Sequence, residues 1–131
     1  MKTYVIASAI VKHKNEYLIG RRAKTKKFGA GKWEFISGFI EEKEPVEETI
    51  LKEVREETSL GGAILKSGDP YIAEDKEARW LIIPFLIEAG NNKIVLNKKD
   101  HSELKWVSSK QLDNYADLTE DVKQFKKRGF L

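Results

Sequence analysis

Apolar positions in this chain fall into two spacings. Residues 4–11 are free of charge, and residues 3–12 and 16–22 read as two strands joined by a hairpin at His13-Lys14-Asn15. Gly29-Ala30-Gly31 marks a loop, and residues 32–36 a short strand. The spacing then changes. Val46, Ile50 and Val54 recur every four residues, close to the period of a helix. Proline at a first helical position, with Glu47 and Glu48 behind it, predicts a helix over residues 45–58. Ser59 stands where a helix end favours glycine, and Gly61-Gly62 would allow the stop to move by two or three residues. Strand patterning returns at 63–75, broken near Gly68-Asp69-Pro70, and again at 79–88. Asn91-Asn92 marks a turn, residues 104–107 a last short strand, and 108–115 a short helix. Residues 119–128 form a terminal helix with Val122 and Phe125 on one side. With no repeat or linker, this order predicts a single α+β domain over residues 1–131, a mixed sheet between helices.

The middle helix carries acids where its apolar stripe should be. With about 100° per residue and Val46 as zero, Ile50 lies near 40° and Val54 near 80°. Glu57 falls near 20°, inside that arc, with Glu53 and Glu56 beside it at about 340° and 280°. A carboxylate aimed at the protein body costs several kcal/mol unless a cation meets it. No basic residue follows at a spacing that neutralises all three, whereas a hard divalent ion such as Mg²⁺ would. The rival is a solvated acidic face, in which Glu48 and Lys52 form a favoured i,i+4 pair. Glu53 and Glu57 are a like-charged pair at that same spacing, which disfavours a helix without a function to serve.

The segment from Gly38 to Leu60 resembles the Nudix box, G-x5-E-x7-R-E-U-x-E-E-x-G-U with U aliphatic. Gly38, Glu44, Glu53, Val54, Glu56, Glu57 and Leu60 match at the right spacing, while Lys52 replaces the arginine and Ser59 the second glycine. The stretch LIGRRAKTKKFGAGKWEFISGFIE before it resembles the strand, basic loop and strand of MutT-type members. The resemblance implies an α/β/α sandwich that hydrolyses a phosphoanhydride with Mg²⁺, or with Mn²⁺ in its place. It implies Glu53, Glu56 and Glu57 as metal ligands and catalytic carboxylates, with the Gly38 carbonyl adding a ligand. Either Glu53 or Glu56 would take the proton of the attacking water, and Glu44 would orient loop and helix. Lys52 keeps the charge of the family's arginine but not its forked geometry, so it would hold a catalytic carboxylate more loosely. Arg21, Arg22, Glu34, Phe35 and Thr119 become candidates for substrate contacts, and Glu103 for a late acid that assists the metal. His101 reads as structural or exposed. Trp33, Trp80 and Tyr71 read as core aromatics before base-stacking ones. The asparagine with which MutT selects oxidised guanine has no counterpart near Leu118-Thr119-Glu120.

Charge sharpens this picture. Residues 41–57 hold eight glutamates against Lys43, Lys52 and Arg55, a local −5, so the net +3 leaves +8 on the remainder. An acidic pocket in a basic body suits a polyanionic nucleotide bridged by divalent metal. Nucleic acid would explain the Lys-rich loop but not inward glutamates, which repel a phosphate backbone. A nucleoside triphosphate is the expected substrate, with a dinucleoside polyphosphate or ADP-sugar, or binding without turnover, as alternatives. Of 131 residues none is cysteine, which points to a reducing cytoplasm. Residues 4–11 resemble a signal-peptide core with Ala7-Ser8-Ala9 as a cleavage site, but they are short and lead into Lys12-His13-Lys14, as a first strand would. No run reaches the length of a membrane span, and the chain suits a monomer or a homodimer.

Overall fold

A computed structural model describes all residues, Met1–Leu131. The first apolar run is β1 (Lys2–His13), which turns through Lys14, in the left-handed region at φ 54°, into β2 (Glu16–Arg22). The single short strand expected at 32–36 is two: β3 (Trp33–Glu34) pairs with β2, and β4 (Ile36–Phe39) crosses to β1. The middle helix α1 spans Val46–Thr58, with Pro45 as its N-cap. Beyond it lie β5 (Gly62–Ser67), β6 (Tyr71–Glu74) and β7 (Ala78–Ala89), as the break at 68–70 foretold. The last strand, β8 (His101–Ser108), begins three residues before the expected 104. A four-residue helix α2 (Ser109–Leu112), capped by Ser108, and a 3₁₀ turn at Ala116–Leu118 replace the helix expected at 108–115. The terminal helix α3 spans Thr119–Lys127.

Ser59 ends α1 in the left-handed conformation at φ 66°, with its N–H on the Arg55 carbonyl. The helix therefore stops where serine stands, without moving to Gly61-Gly62. The Thr58 hydroxyl donates to the Val54 carbonyl at 2.6 Å and accepts from the Leu60 N–H at 3.1 Å, which closes the last turn.

One sheet contains all eight strands. Long β7 runs parallel to β1 from Lys2↔Ala78 to Lys12↔Glu88, and β5 and β6 pair antiparallel along the outer edge of β7. Because side chains alternate on a strand, the sheet feeds two cores. Ala7, Ala9, Val11, Phe85 and Ile87 lie beneath Ile50 and Val54 of α1. Ile10, Ile19 and Leu86 meet Leu112, Leu118 and Phe125 from the C-terminal helices on the other face. The result is the expected sandwich of helices about a mixed sheet. No helix is long and apolar enough to cross a membrane.

Candidate active site

The helix-face argument separates the three glutamates. Glu57 is 4% exposed, Glu53 is half-buried, and Glu56 is exposed. Burial, then the neighbouring Glu53 carboxyl, pushes Glu57 up to about 10. Burial also raises Glu53, with the nearby Glu56 charge adding to the effect. Two carboxyls are thus held out of water without an adequate counter-charge, and Oε2 of Glu57 has no hydrogen-bond partner. That donor set fits a hard divalent cation, whose charge would offset the burial of the two carboxylates.

The surrounding elements converge on this pair. Gly38 lies opposite Ala7 in the β4–β1 register, and a Cβ there would collide with Cγ and Cδ of Glu53. The glycine that opens the motif is therefore what lets Glu53 lie against β4. On β2 the pairing with β8 slips after Arg21, so that Arg21 faces Glu103 and Arg22 faces His101. Such a bulge re-aims a side chain. Arg22 donates from Nη1 to both Glu34 oxygens at 3.1 and 3.2 Å, and from Nε to the Phe28 carbonyl at 2.8 Å. His101 is fully buried, with Nε2 2.9 Å from Glu34 Oε2 and Nδ1 3.8 Å from Glu57 Oε1. Gly20 makes room for it, since a Cβ there would stand 2.5 Å from the imidazole Cδ2.

Arg22 and the Glu34 carboxyl it helps to place border a cavity of about 550 Å³. Glu34, Ser37, Gly38, Glu53 and Glu57 line it, as do Arg22, Lys26 and Lys32. Phe28, Phe39 and Trp80 also line it and are linked through Tyr4 in one aromatic wall: Tyr4–Phe28 5.3 Å, Phe28–Trp80 5.5 Å and Tyr4–Phe39 5.7 Å. Asp75 and Asp121 add carboxyls to its surface.

The expected site residues part company here. Glu53, Glu57, Gly38, Glu34 and Arg22 meet at the cavity. Glu56 and Glu103 are exposed and do not line it. Arg21 is exposed, and its Nε donates to the Gly31 carbonyl at 2.9 Å. Phe35, next to Glu34, is buried in the second core, 5.3 Å from Phe125. Thr119 lines a separate groove with Asp113 and Lys126. Lys52 reaches none of the three glutamates near the helix end. Its ammonium donates to Glu41 at 2.8 Å and to Glu44 at 3.0 Å, while the Thr49 hydroxyl donates to Glu44 at 2.7 Å. Those two bonds hold the Glu44 carboxyl below the usual range, and both Glu41 and Glu44 hold the Lys52 ammonium above its own. Glu44 thus ties the loop before α1 to the helix.

Sequence reasoning missed Asp100, His101, Phe28 and Asp121. Asp100 lines the cavity and pairs with Lys26 at 3.0 Å. It is placed by Asn97, whose carbonyl accepts the Asp100 and His101 N–H groups and whose side chain donates to the Glu56 carbonyl. The signal in the sequence is the composition of residues 100–103, DHSE, where three of four residues are titratable. Trp80, expected in the core, belongs to neither apolar core and lines the cavity wall instead.

A sequence model of the NUDIX domain matches residues 2–128. The fold is similar to the MutT protein from Methanosarcina mazei Go1, with a TM-score of 0.83 at 22% identity, covering 98% of this chain and 96% of that one. It is also similar to a C. elegans Ap4A hydrolase, with a TM-score of 0.79 at 17% identity, covering 96% and 95%. The E. coli ORF135 protein gives 0.70 at 20% identity, covering 94% and 86%. No curated protein sequence matches the chain.

Proposed function

The chain belongs to the Nudix family of hydrolases, and from that premise we propose that it cleaves nucleoside triphosphates to the monophosphate and pyrophosphate with the help of Mg²⁺ or Mn²⁺. The observation that carries this reading is the pair Glu53 and Glu57, turned into a cavity that also holds lysines and an aromatic wall. Glu57, one oxygen of Glu53 and the Gly38 carbonyl would hold the cation. When bound, a divalent cation neutralises phosphate oxygens and lowers the pKa of a bound water.

The chain's own groups do the rest. Lys32, and Lys26 on release from its pair with Asp100, meet the phosphate charge at the cavity. Arg22, bonded to both Glu34 oxygens and to the Phe28 carbonyl, shapes the basic loop. Glu53 takes the proton of the attacking water through its second oxygen, because it lines the cavity and Glu56 does not. Burial raises its pKa, which makes the carboxylate a stronger base than a solvated one. The wall of Phe28, Phe39 and Trp80 offers a face for one nucleobase. One wall suits one base, which favours a nucleoside triphosphate over a dinucleoside polyphosphate.

The test is hydrolysis over oxidised and ordinary nucleoside triphosphates, diadenosine polyphosphates and ADP-ribose, with Mg²⁺ or Mn²⁺ and with products identified. Glu57→Gln should lower kcat by at least about 100-fold, on the scale of losing one charge-stabilising group. Silence across the panel, or full turnover in that variant, would sink the reading.

A further inference from the structure

His101 opens β8, where the slipped pairing with β2 sets it opposite Arg22. Its ring is sealed from solvent, and each nitrogen faces a carboxylate. On one side Glu34 is pinned by two bonds from the Arg22 guanidinium. An ionised carboxylate can only accept, so the bond at 2.9 Å places the ring hydrogen on Nε2. In that tautomer the other nitrogen presents a lone pair. Nδ1 of His101 has no hydrogen-bond partner, and neither has Oε2 of Glu57 beside it. At 3.8 Å from Glu57 Oε1, Nδ1 is too far for a hydrogen bond. Two donors on one cation, each about 2.1 Å from it, stand about 3 to 4 Å apart.

We propose that His101 Nδ1 is a nitrogen ligand to the divalent cation held by Glu57. The proposal rests on the metal reading given above and goes beyond it, because it changes the chemistry of the site. A carboxylate that fixes the far nitrogen of a metal-bound imidazole sets the tautomer and strengthens the ligand. Glu34 stands in that place, and Arg22 fixes Glu34 in turn. Gly20 clears the space on which the ring orientation depends. An imidazole among oxygen ligands favours borderline transition ions over Mg²⁺, which suits carboxylate and carbonyl oxygens. The site therefore binds Mn²⁺ and Co²⁺ in preference to Mg²⁺ by more than carboxylates alone would give.

Mn²⁺ alone, added below stoichiometry to the intact chain, supplies the test. Pulsed electron paramagnetic resonance should show nitrogen coupling to the bound Mn²⁺. The only other histidine, His13, lies on the hairpin against Trp106, so the signal belongs to His101. His101→Asn should remove the coupling and lower the ratio of Co²⁺ to Mg²⁺ affinity, read by calorimetric titration, by about tenfold or more. His101→Gln, checked for folding without metal, repeats the measurement with a different side-chain length. Mn²⁺ bound without nitrogen coupling overturns the proposal and leaves the hydrolase reading standing. Failure of the wild type to bind Mn²⁺ at all overturns both.

Discussion

Gly38 shows how much a missing side chain can decide. A methyl group there would strike Glu53 at Cγ, close to the backbone, where the side chain has little freedom to retreat. Gly38→Ala should therefore displace the carboxylate and lower kcat by about tenfold or more, with a smaller effect on stability. Activity and urea denaturation measured on the same preparation separate the two. Lys52 makes the opposite case. Its ammonium bridges Glu41 and Glu44 near the surface, where water screens such pairs and leaves them weak. Lys52→Arg retains the charge and both partners, so kcat/KM should stay within about threefold of wild type. A loss of 100-fold would show that the group at this position governs a catalytic carboxylate directly. The family's pattern implied such control, but the bonds run to the loop instead.

At the scale of elements, α1 was the most legible part of the chain. Its apolar spacing, its acids and its end at Ser59 were all present in the local sequence, because a helix is defined by contacts three and four residues apart. The strands from 16 to 36 were less so: β3 and β4 part at Phe35 because β3 pairs with β2 while β4 pairs with β1. Choice of partner is a long-range event with no local signature. Helix α3 gives a test at this scale. Asp121 on its first turn accepts the Tyr71 hydroxyl of β6 at 2.7 Å, and burial holds its carboxyl above the usual range. The folded state thus keeps a proton that the unfolded chain loses near the ordinary carboxylate pKa. Stability from this group falls as pH rises through that window, and the deficit persists above it. Asp121→Asn keeps an oxygen for Tyr71 and removes the titration. Its stability relative to wild type should be higher at pH 7 than at pH 3, by urea unfolding at each pH; an equal difference at both would exclude the assignment.

For the molecule as a whole, an acidic core in a basic body links folding to ligand binding. Saturating Mg²⁺ or Mn²⁺ at about 100 times its Kd should stabilise the fold by about 2.7 kcal/mol, read as a rise in Tm. In Glu57→Gln that rise should shrink, while the metal-free protein gains stability by losing a buried carboxyl. An undiminished rise would place the cation elsewhere. By itself the chain determined its class, its single helix of inward acids, and the motif that marks its family, since each is written in residues close together along the backbone. Only the tertiary structure decided which acids share a cavity. Asp100 and His101 reach Glu57 across some 40 residues of chain, the one placed by Asn97 and the other by a strand that slips by one place, and Glu56 is exposed although it adjoins Glu57. Spacing fixes the face of a helix, but what that face meets depends on packing against strands distant in sequence.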